Sequence, residues 1–84
     1  MAYSIVYKQS VRHDLGKLAI PEISRILDRI EQELIHKAAS NPVLKGKFAG
    51  LRKYRIGDYR IIYALKADEI IILRIAHRSE VYRR

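Results

Sequence analysis

The stretch LRKYRIGDYRIIY, Leu51–Tyr63, decides the fold that this sequence predicts. Two runs rich in β-branched and aromatic residues flank Gly57-Asp58, a dipeptide typical of a tight hairpin turn. The same stretch carries four cations, Arg52, Lys53, Arg55 and Arg60. Strands seldom hold this much positive charge, so the stretch predicts a β-hairpin and raises the question of what its cations face.

The hairpin is one part of a predicted α+β domain that spans residues 1–84. The predicted strands are Tyr3–Lys8, Leu51–Ile56, Tyr59–Lys66 and Glu69–His77. Two helical segments separate the first strand from the others; one begins at Ser10, a candidate N-cap, and the other begins with Pro21 and ends at Asn41-Pro42. The order β-α-α-β-β-β predicts two layers, a helix hairpin packed on an antiparallel sheet of about four strands. The second sheet face then has no helix over it.

Composition excludes several classes of protein. A chain of 84 residues builds one domain, and without cysteine it has neither disulfides nor thiolate metal sites. The sequence shows no signal-like N-terminus and no apolar run of about 20 residues, so we expect a cytoplasmic protein and no membrane contact.

The positive charge is concentrated in the second half of the chain. The net charge is +8; residues 1–44 hold six Lys or Arg and five acids, whereas residues 45–84 hold eleven and four. This asymmetry favours a polyanionic partner, most often a nucleic acid, or an acidic protein. A basic loop, residues 43–50, adds Lys45 and Lys47 as candidate phosphate ligands.

Strand alternation predicts which face of the sheet each side chain occupies. The apolar set expected to meet the helices is Tyr59, Ile61, Tyr63, Leu65, Ile71, Leu73 and Ile75. Alternation then places Arg60 on the other sheet face, which has no predicted helix over it and which we call the uncovered face. Lys53 and Arg55 share one face of the neighbouring strand. We expect these three cations to converge with Arg74 and Arg78 on the uncovered face and to bind phosphate.

Two motifs resemble a known family. They are YRIGDYRIIYAL at residues 54–65 and IIILRIAHRSEVYRR at residues 70–84. Together with the order of elements, they resemble the RelE/ParE toxin superfamily of type II toxin–antitoxin systems over essentially the whole chain. In that superfamily RelE-like members are ribosome-dependent mRNA endonucleases, ParE-like members inhibit DNA gyrase, and both are neutralised by a cognate antitoxin. The pair Arg78 and Tyr82, commonly absent from ParE-like tails, favours the RelE-like branch.

The resemblance implies an endoribonuclease that cuts mRNA in the ribosomal A site with the RNA 2′-hydroxyl as nucleophile. Such a reaction needs a base, an acid and cations at the transition state, but no metal and no cofactor. The matching positions give Lys53, Arg60, Arg78 and Tyr82 as catalytic candidates, with Arg55 and Arg74 as further phosphate ligands. His77 is added because imidazole has the pKa best suited to a proton shuttle. Leu51 stands where RelE-like nucleases carry a basic residue.

Two other functions stay open on the sequence alone. One is a ParE-like inhibitor of DNA gyrase without nuclease activity, and the other is a nucleic-acid-binding module without catalysis. For either toxin branch, the resemblance implies a hetero-oligomer with a cognate antitoxin. His13 and His36 lie in the predicted helical half, and the spacing of the three histidines predicts no metal site.

Overall fold

The computed structural model describes residues 3–46 and 49–77, and these form two layers. The strands are β1 (Ser4–Tyr7), β2 (Arg52–Ile56), β3 (Tyr59–Lys66) and β4 (Glu69–His77). The helical layer contains α1 (Gln9–Leu15) and α2 (Ile20–Arg29), and α2 continues through a π-helical turn (Ile30–Leu34), α3 (Ile35–Lys37) and a 3₁₀ turn (Ala38–Ser40). The predicted α+β class and the order β-α-α-β-β-β are confirmed.

The strands form one mixed sheet in the order β1-β4-β3-β2. β2, β3 and β4 are antiparallel neighbours, whereas β1 lies parallel to β4, with Ser4 opposite Glu69 and Tyr7 opposite Ile72. This differs from the wholly antiparallel sheet that the sequence predicts. Two hairpins reverse the chain between β2 and β4, so these strands share one direction. The helical layer returns the chain across the sheet before β2 begins, so β1 shares that direction too.

The helical layer follows its sequence pattern closely. Pro21 occupies the first turn of α2, where a missing N–H leaves no hydrogen bond unmade. Ile26, Ile30 and Leu34 recur at spacings of four, which places them on one helix face, and all three are completely buried. Within residues 3–46 and 49–77, no helix is long and apolar enough to cross a membrane.

The start of α1 differs from the prediction. The helix begins at Gln9, and no side chain caps its first turn. Ser10 was predicted as the N-cap, but its Oγ donates a hydrogen bond to the carbonyl oxygen of Leu73 on β4 (2.6 Å). The Ser10 hydroxyl therefore ties α1 to the sheet instead of capping the helix.

Four tyrosines of the sheet hold the helical layer through their hydroxyl groups. We call Tyr7, Tyr54, Tyr59 and Tyr63 the helix-facing tyrosines. Each donates a hydrogen bond: Tyr7 to Glu31 (3.3 Å), Tyr54 to Glu33 (2.7 Å), Tyr59 to Glu22 (2.9 Å) and Tyr63 to the carbonyl oxygen of Ala38 (2.6 Å). Their acceptors run from the first turn of α2 to the 3₁₀ turn that follows it, so the contacts hold α2 and its continuation along most of their length.

A bulge at Leu73 changes which residues of β4 face the helices. Residues 62 and 63 of β3 are adjacent, but their partners on β4 are Arg74 and Ile72, which leaves Leu73 without a partner on β3. The buried β4 residues in the core are Ile70, Ile72 and Ile75. The predicted core positions Ile71 and Leu73 were therefore wrong, because one bulge reverses the alternation on which they rested.

Candidate nucleic-acid interface

The predicted cations lie in two neighbouring rows on the sheet face opposite the helices. One row runs Lys53, Ile62, Arg74 across β2, β3 and β4, and the next runs Arg55, Arg60, Ala76. Adjacent strands are about 4.8 Å apart, so all four cations fit within the span of two strand spacings. We call Lys53, Arg55, Arg60 and Arg74 the cationic face. Its composition matches the arrangement that alternation predicted.

Arg60 lies at the centre of the cationic face and is almost completely buried. Its exposed fraction is 7%. Among the residues that the structure describes, Arg60 and Asp14 are the two buried charged residues. A guanidinium stays charged under all ordinary conditions, and charge interactions strengthen where water is excluded. A phosphate that reaches Arg60 would therefore gain more from it than from an exposed arginine.

Arg55 and Lys53 complete the β2 side of the face. Arg55 is exposed, and its Nε donates a hydrogen bond to the carbonyl oxygen of Gly57 (3.1 Å). Gly57 has φ +58°, a conformation that glycine adopts without strain, so the turn can present this carbonyl to the side chain. Lys53 is half-buried. The tight turn thus helps to aim one of the cations.

Arg74 is held at the β4 side of the face by a residue that the sequence did not single out. Its Nε and Nη2 donate to the two carboxylate oxygens of Asp14 on α1, at 2.8 and 3.1 Å. The side chain of Arg74 is still 47% exposed. Asp14 lies four residues after Ser10, a spacing that places both on one helix face. Only the docking of α1 on β4 shows that this face contacts the sheet.

His77 lies on the other face of the sheet. It stands opposite Tyr59 in the strand register, and the two rings meet edge to face with centroids 5.5 Å apart. Both line a cavity of about 210 Å³ on the helix side, together with Asp14, Lys17, Leu18 and Ile75. The structure therefore separates His77 from the cationic face.

The comparisons with known proteins agree with this fold. Residues 5–82 match the family described as ParE toxin of type II toxin-antitoxin system, parDE. The chain belongs to the RelE/ParE family of type II toxin–antitoxin toxins. Toxin RelG of Mycobacterium tuberculosis (strain ATCC 25618 / H37Rv) is 31% identical over 91 residues, which cover the whole of both chains.

Two solved structures share the fold of this toxin. The toxin–antitoxin complex RelBE2 of Mycobacterium tuberculosis contains a chain with a TM-score of 0.85 and 25% identity, over 93% of the toxin and 100% of that chain. The chromosomal ParDE system of P. aeruginosa contains one with a TM-score of 0.75 and 18% identity, over 89% and 95%. The second likeness is one of fold alone.

The other site residues predicted from the sequence lie away from the cationic face or outside the described residues. Lys45 is exposed in the loop before β2, and Leu51 immediately precedes that strand, where its carbonyl oxygen accepts a hydrogen bond from the Leu44 amide (2.7 Å). The predicted residues Lys47, Arg78 and Tyr82 lie outside the described residues. In the part of the chain that the structure describes, no group of three His, Cys, Asp or Glu side chains is placed to hold a metal ion.

Arg52 of the toxin, next to Lys53 on β2, lies on the opposite face from the cationic face. It stands on the helix-covered face, opposite Tyr63. Its Nη1 donates to the carbonyl oxygens of Asn41 (2.5 Å) and Ala39 (3.3 Å) at the end of the helical layer. A cation at this end of a helix meets carbonyl oxygens that have no helical partner, so Arg52 stabilises the helical layer.

Proposed function

We propose that this toxin is an endoribonuclease that cuts translated mRNA on the ribosome, without a metal, using the RNA 2′-hydroxyl as nucleophile. The observation that supports it is the pair of neighbouring rows with four cations on the sheet face opposite the helices. Like charges at this density repel one another, and a bound polyanion removes that cost. Arginine also matches phosphate geometry with two parallel N–H donors.

In the proposed reaction the cationic face supplies charge. The 2′-hydroxyl gives its proton to a base and bonds to the neighbouring phosphorus, and the bond from that phosphorus to the 5′-oxygen breaks as an acid protonates that oxygen. Arg60, Lys53 and Arg55 stabilise the extra negative charge on the phosphate. Lysine and arginine ordinarily stay protonated at neutral pH, so the proton transfers need another group. Because His77 lies on the opposite face, we assign this role to Tyr82 and count Arg78 as a further cation, on the resemblance of the HRSEVY segment.

The proposed partner of the toxin is a cognate antitoxin in a hetero-oligomer. The RelBE2 structure, whose chain shares 25% identity with this one, is a toxin–antitoxin complex. The charge of the toxin suits an acidic partner, since its net charge is +8. An antitoxin that covers the cationic face would also block access of RNA to it.

Primer extension on a translated mRNA tests the proposed cleavage. We expect new 5′ ends with the wild-type toxin only when the message is translated, and a loss of about 100-fold or more with Arg60→Ala. Arg25→Ala is the matched control, because Arg25 is exposed on α2 and pairs only weakly with Glu22 (3.4 Å). Its cleavage should equal that of the wild type.

Arg60 is buried, so its removal can also disturb folding. Arg60→Lys keeps the charge and the aliphatic stem but loses the two-donor fork of the guanidinium. We expect this variant to melt close to the wild type and still to cut slowly. If folded Arg60→Lys and Arg60→Ala both cut at the wild-type rate, the cationic face is not the catalytic surface.

The second candidate function is inhibition of DNA gyrase. It is favoured by the matching family, whose description names ParE. A supercoiling assay separates the two functions, because a gyrase inhibitor needs no nuclease residues. Inhibition of gyrase by both wild-type toxin and Tyr82→Phe, with no mRNA cleavage, would replace the nuclease proposal.

A further inference from the structure

Asp14 is a buried carboxylate with three bonds to one short segment of β4. The residue is 5% exposed. Its Oδ2 accepts hydrogen bonds from Arg74 Nε (2.8 Å) and from the Ile75 amide (2.9 Å), and its Oδ1 accepts from Arg74 Nη2 (3.1 Å). Three hydrogen bonds fix the position of this buried carboxylate. They also fix the Arg74 guanidinium and the Ile75 amide that donate them.

The location of Asp14 follows from the short length of β1. That strand ends at Tyr7, opposite Ile72, so among residues 3–46 and 49–77 no strand lies beside the outer edge of β4 beyond Ile72. Side chains of α1 bond this edge instead, with Ser10 at the Leu73 carbonyl and Asp14 at the Ile75 amide. The helix therefore replaces strand pairing at the point where β4 bulges.

The bulge determines where Arg74 points. With regular alternation, Arg74 would share a face with Ile72 and meet the helices. The unmatched Leu73 reverses the alternation, so Arg74 stands in one row with Lys53 on the cationic face. Bulges often aim a side chain next to a functional site in this way. Ser10 and Asp14 bond the residues on both sides of Arg74, but of the two only Asp14 also accepts from the Arg74 guanidinium.

We propose that Asp14 is a positioning residue for the phosphate site. It holds one edge of the Arg74 guanidinium, while the Arg74 side chain remains 47% exposed toward solvent. The guanidinium then meets an RNA phosphate in a preset orientation, which avoids the entropy cost of ordering a long side chain on binding. This inference rests on the proposed function, because it assigns Arg74 to the RNA site.

A double-mutant cycle on cleavage tests this role. Asp14→Asn keeps an oxygen that can accept from the Ile75 amide but removes the charge that orients Arg74. We expect it to lower the rate of translation-coupled cleavage by about 10-fold to 100-fold in the wild-type background. In the Arg74→Ala background it should change the rate by less than about 2-fold, since the residue through which it acts is gone.

Ser10→Ala is the matched control for the cycle. It removes the other α1 bond to the same edge of β4 without touching Arg74. We expect it to lower the melting temperature while the rate stays within about 2-fold of the wild type in both backgrounds. An equal loss of rate from Asp14→Asn with and without Arg74 would show a purely structural role and overturn the proposal.

A second readout does not depend on cleavage. The Nε–H resonances of ¹⁵N-labelled arginines are followed while an RNA oligonucleotide with a 2′-deoxy cleavage site is added. We expect the Arg74 resonance to shift in the wild type and to respond much less in Asp14→Asn. If Arg55 and Arg60 respond but Arg74 does not, the role of Asp14 fails while the RNA site stands. If no arginine responds and no RNA is cut, the proposed function fails as well.

Discussion

At the scale of single residues, the three arginines of the cationic face are held in different ways. Arg60 is buried, Arg74 is bound by Asp14, and Arg55 is exposed and donates to the turn carbonyl of Gly57. A charge interaction is stronger at a buried guanidinium than at an exposed one, where water screens it. We therefore expect Arg60 to matter for rate and Arg55 to matter for affinity.

Arg55→Ala tests this division. Each phosphate contact with single-stranded RNA releases counterions, so its loss should lower the slope of log K against log salt concentration by about 0.7. Binding is measured by fluorescence anisotropy over a salt series with the uncleavable RNA. Lys37→Ala, which removes an exposed cation of α3, is the control and should leave the slope unchanged. A wild-type slope for Arg55→Ala would remove Arg55 from the interface.

The faces of Lys53, Arg55 and Arg60 were predictable because β2 and β3 pair without interruption around the turn. Side chains in such a hairpin keep strict alternation, and the apolar residues that alternate with Arg60 along β3, Tyr59, Ile61 and Tyr63, fix which side is buried. The bond from Asp14 to Arg74 was not predictable in this way. It depends on the bulge at Leu73 and on a β1 too short to cover β4, and neither leaves a pattern in the sequence.

At the scale of elements, β4 shows how one irregular residue redirects a strand. Residues 70–73 are all apolar, so alternation alone cannot say which of them are buried. The bulge assigns Ile72 to the core and leaves Leu73 only partly buried. Burial of Ile72 and partial exposure of Leu73 predict different losses in the free energy of unfolding when each side chain is truncated.

Ile72→Ala should destabilise the toxin by about 2–5 kcal/mol, because it leaves a cavity in the core. Leu73→Ala is the matched neighbour and should cost clearly less, since its side chain is partly exposed while its backbone bond to Ser10 is retained. The free energy of unfolding from urea titration gives both values. A larger cost at Leu73 than at Ile72 would place the bulge elsewhere.

The two hairpin turns differ in how well their residues suit the backbone. Gly57 has φ +58° in the β2–β3 turn, and Ala67 has φ +55° in the β3–β4 turn. Side chains with a Cβ resist this conformation, by roughly 1–2 kcal/mol. The strain at Ala67 is therefore open to relief by substitution.

Ala67→Gly is expected to stabilise the toxin by up to about 1 kcal/mol, since relief of the strain exceeds the added flexibility of the unfolded chain. Gly57→Ala is the reciprocal change and should destabilise by about 1 kcal/mol. A Cβ at Gly57 meets no atom within 4 Å, so its cost is conformational only. Thermal melting of the two variants gives the signs, and a stabilising Gly57→Ala would contradict this account.

At the scale of the whole molecule, the two faces of the sheet carry separate properties. The face under the helices holds the apolar core and the helix-facing tyrosines, and the opposite face holds the cations. The two-layer arrangement was predictable from the order and periodicity of the elements. The tyrosine contacts were not, because each joins residues at least 21 positions apart, and their partners depend on how α2 crosses the sheet.

The helix-facing tyrosines predict how the whole fold responds to alkaline pH. Burial, with the Glu31 carboxylate nearby, raises the pKa of Tyr7 to about 12. Burial is also the main cause that raises the pKa values of Tyr54, Tyr59 and Tyr63. The folded state thus favours the protonated hydroxyl, which donates the hydrogen bond. A tyrosine in the unfolded chain titrates near 10, so the folded toxin retains protons that the unfolded chain releases above that pH.

The stabilisation from these tyrosines should therefore be complete below about pH 10 and decline as the pH rises from there toward 12. The free energy of unfolding by urea, measured from pH 8 to 12, should fall across this window. Tyr54→Phe should be less stable than the wild type at pH 8, because it loses the 2.7 Å bond to Glu33, and the difference should shrink toward pH 12. Tyr3→Phe, outside the helix-facing set, is the control and should follow the wild-type curve. If Tyr54→Phe were as stable as the wild type at pH 8, packing of the ring, and not its hydroxyl, would hold α2 on the sheet. A deficit that stayed constant up to pH 12 would contradict the link to ionisation of the hydroxyl.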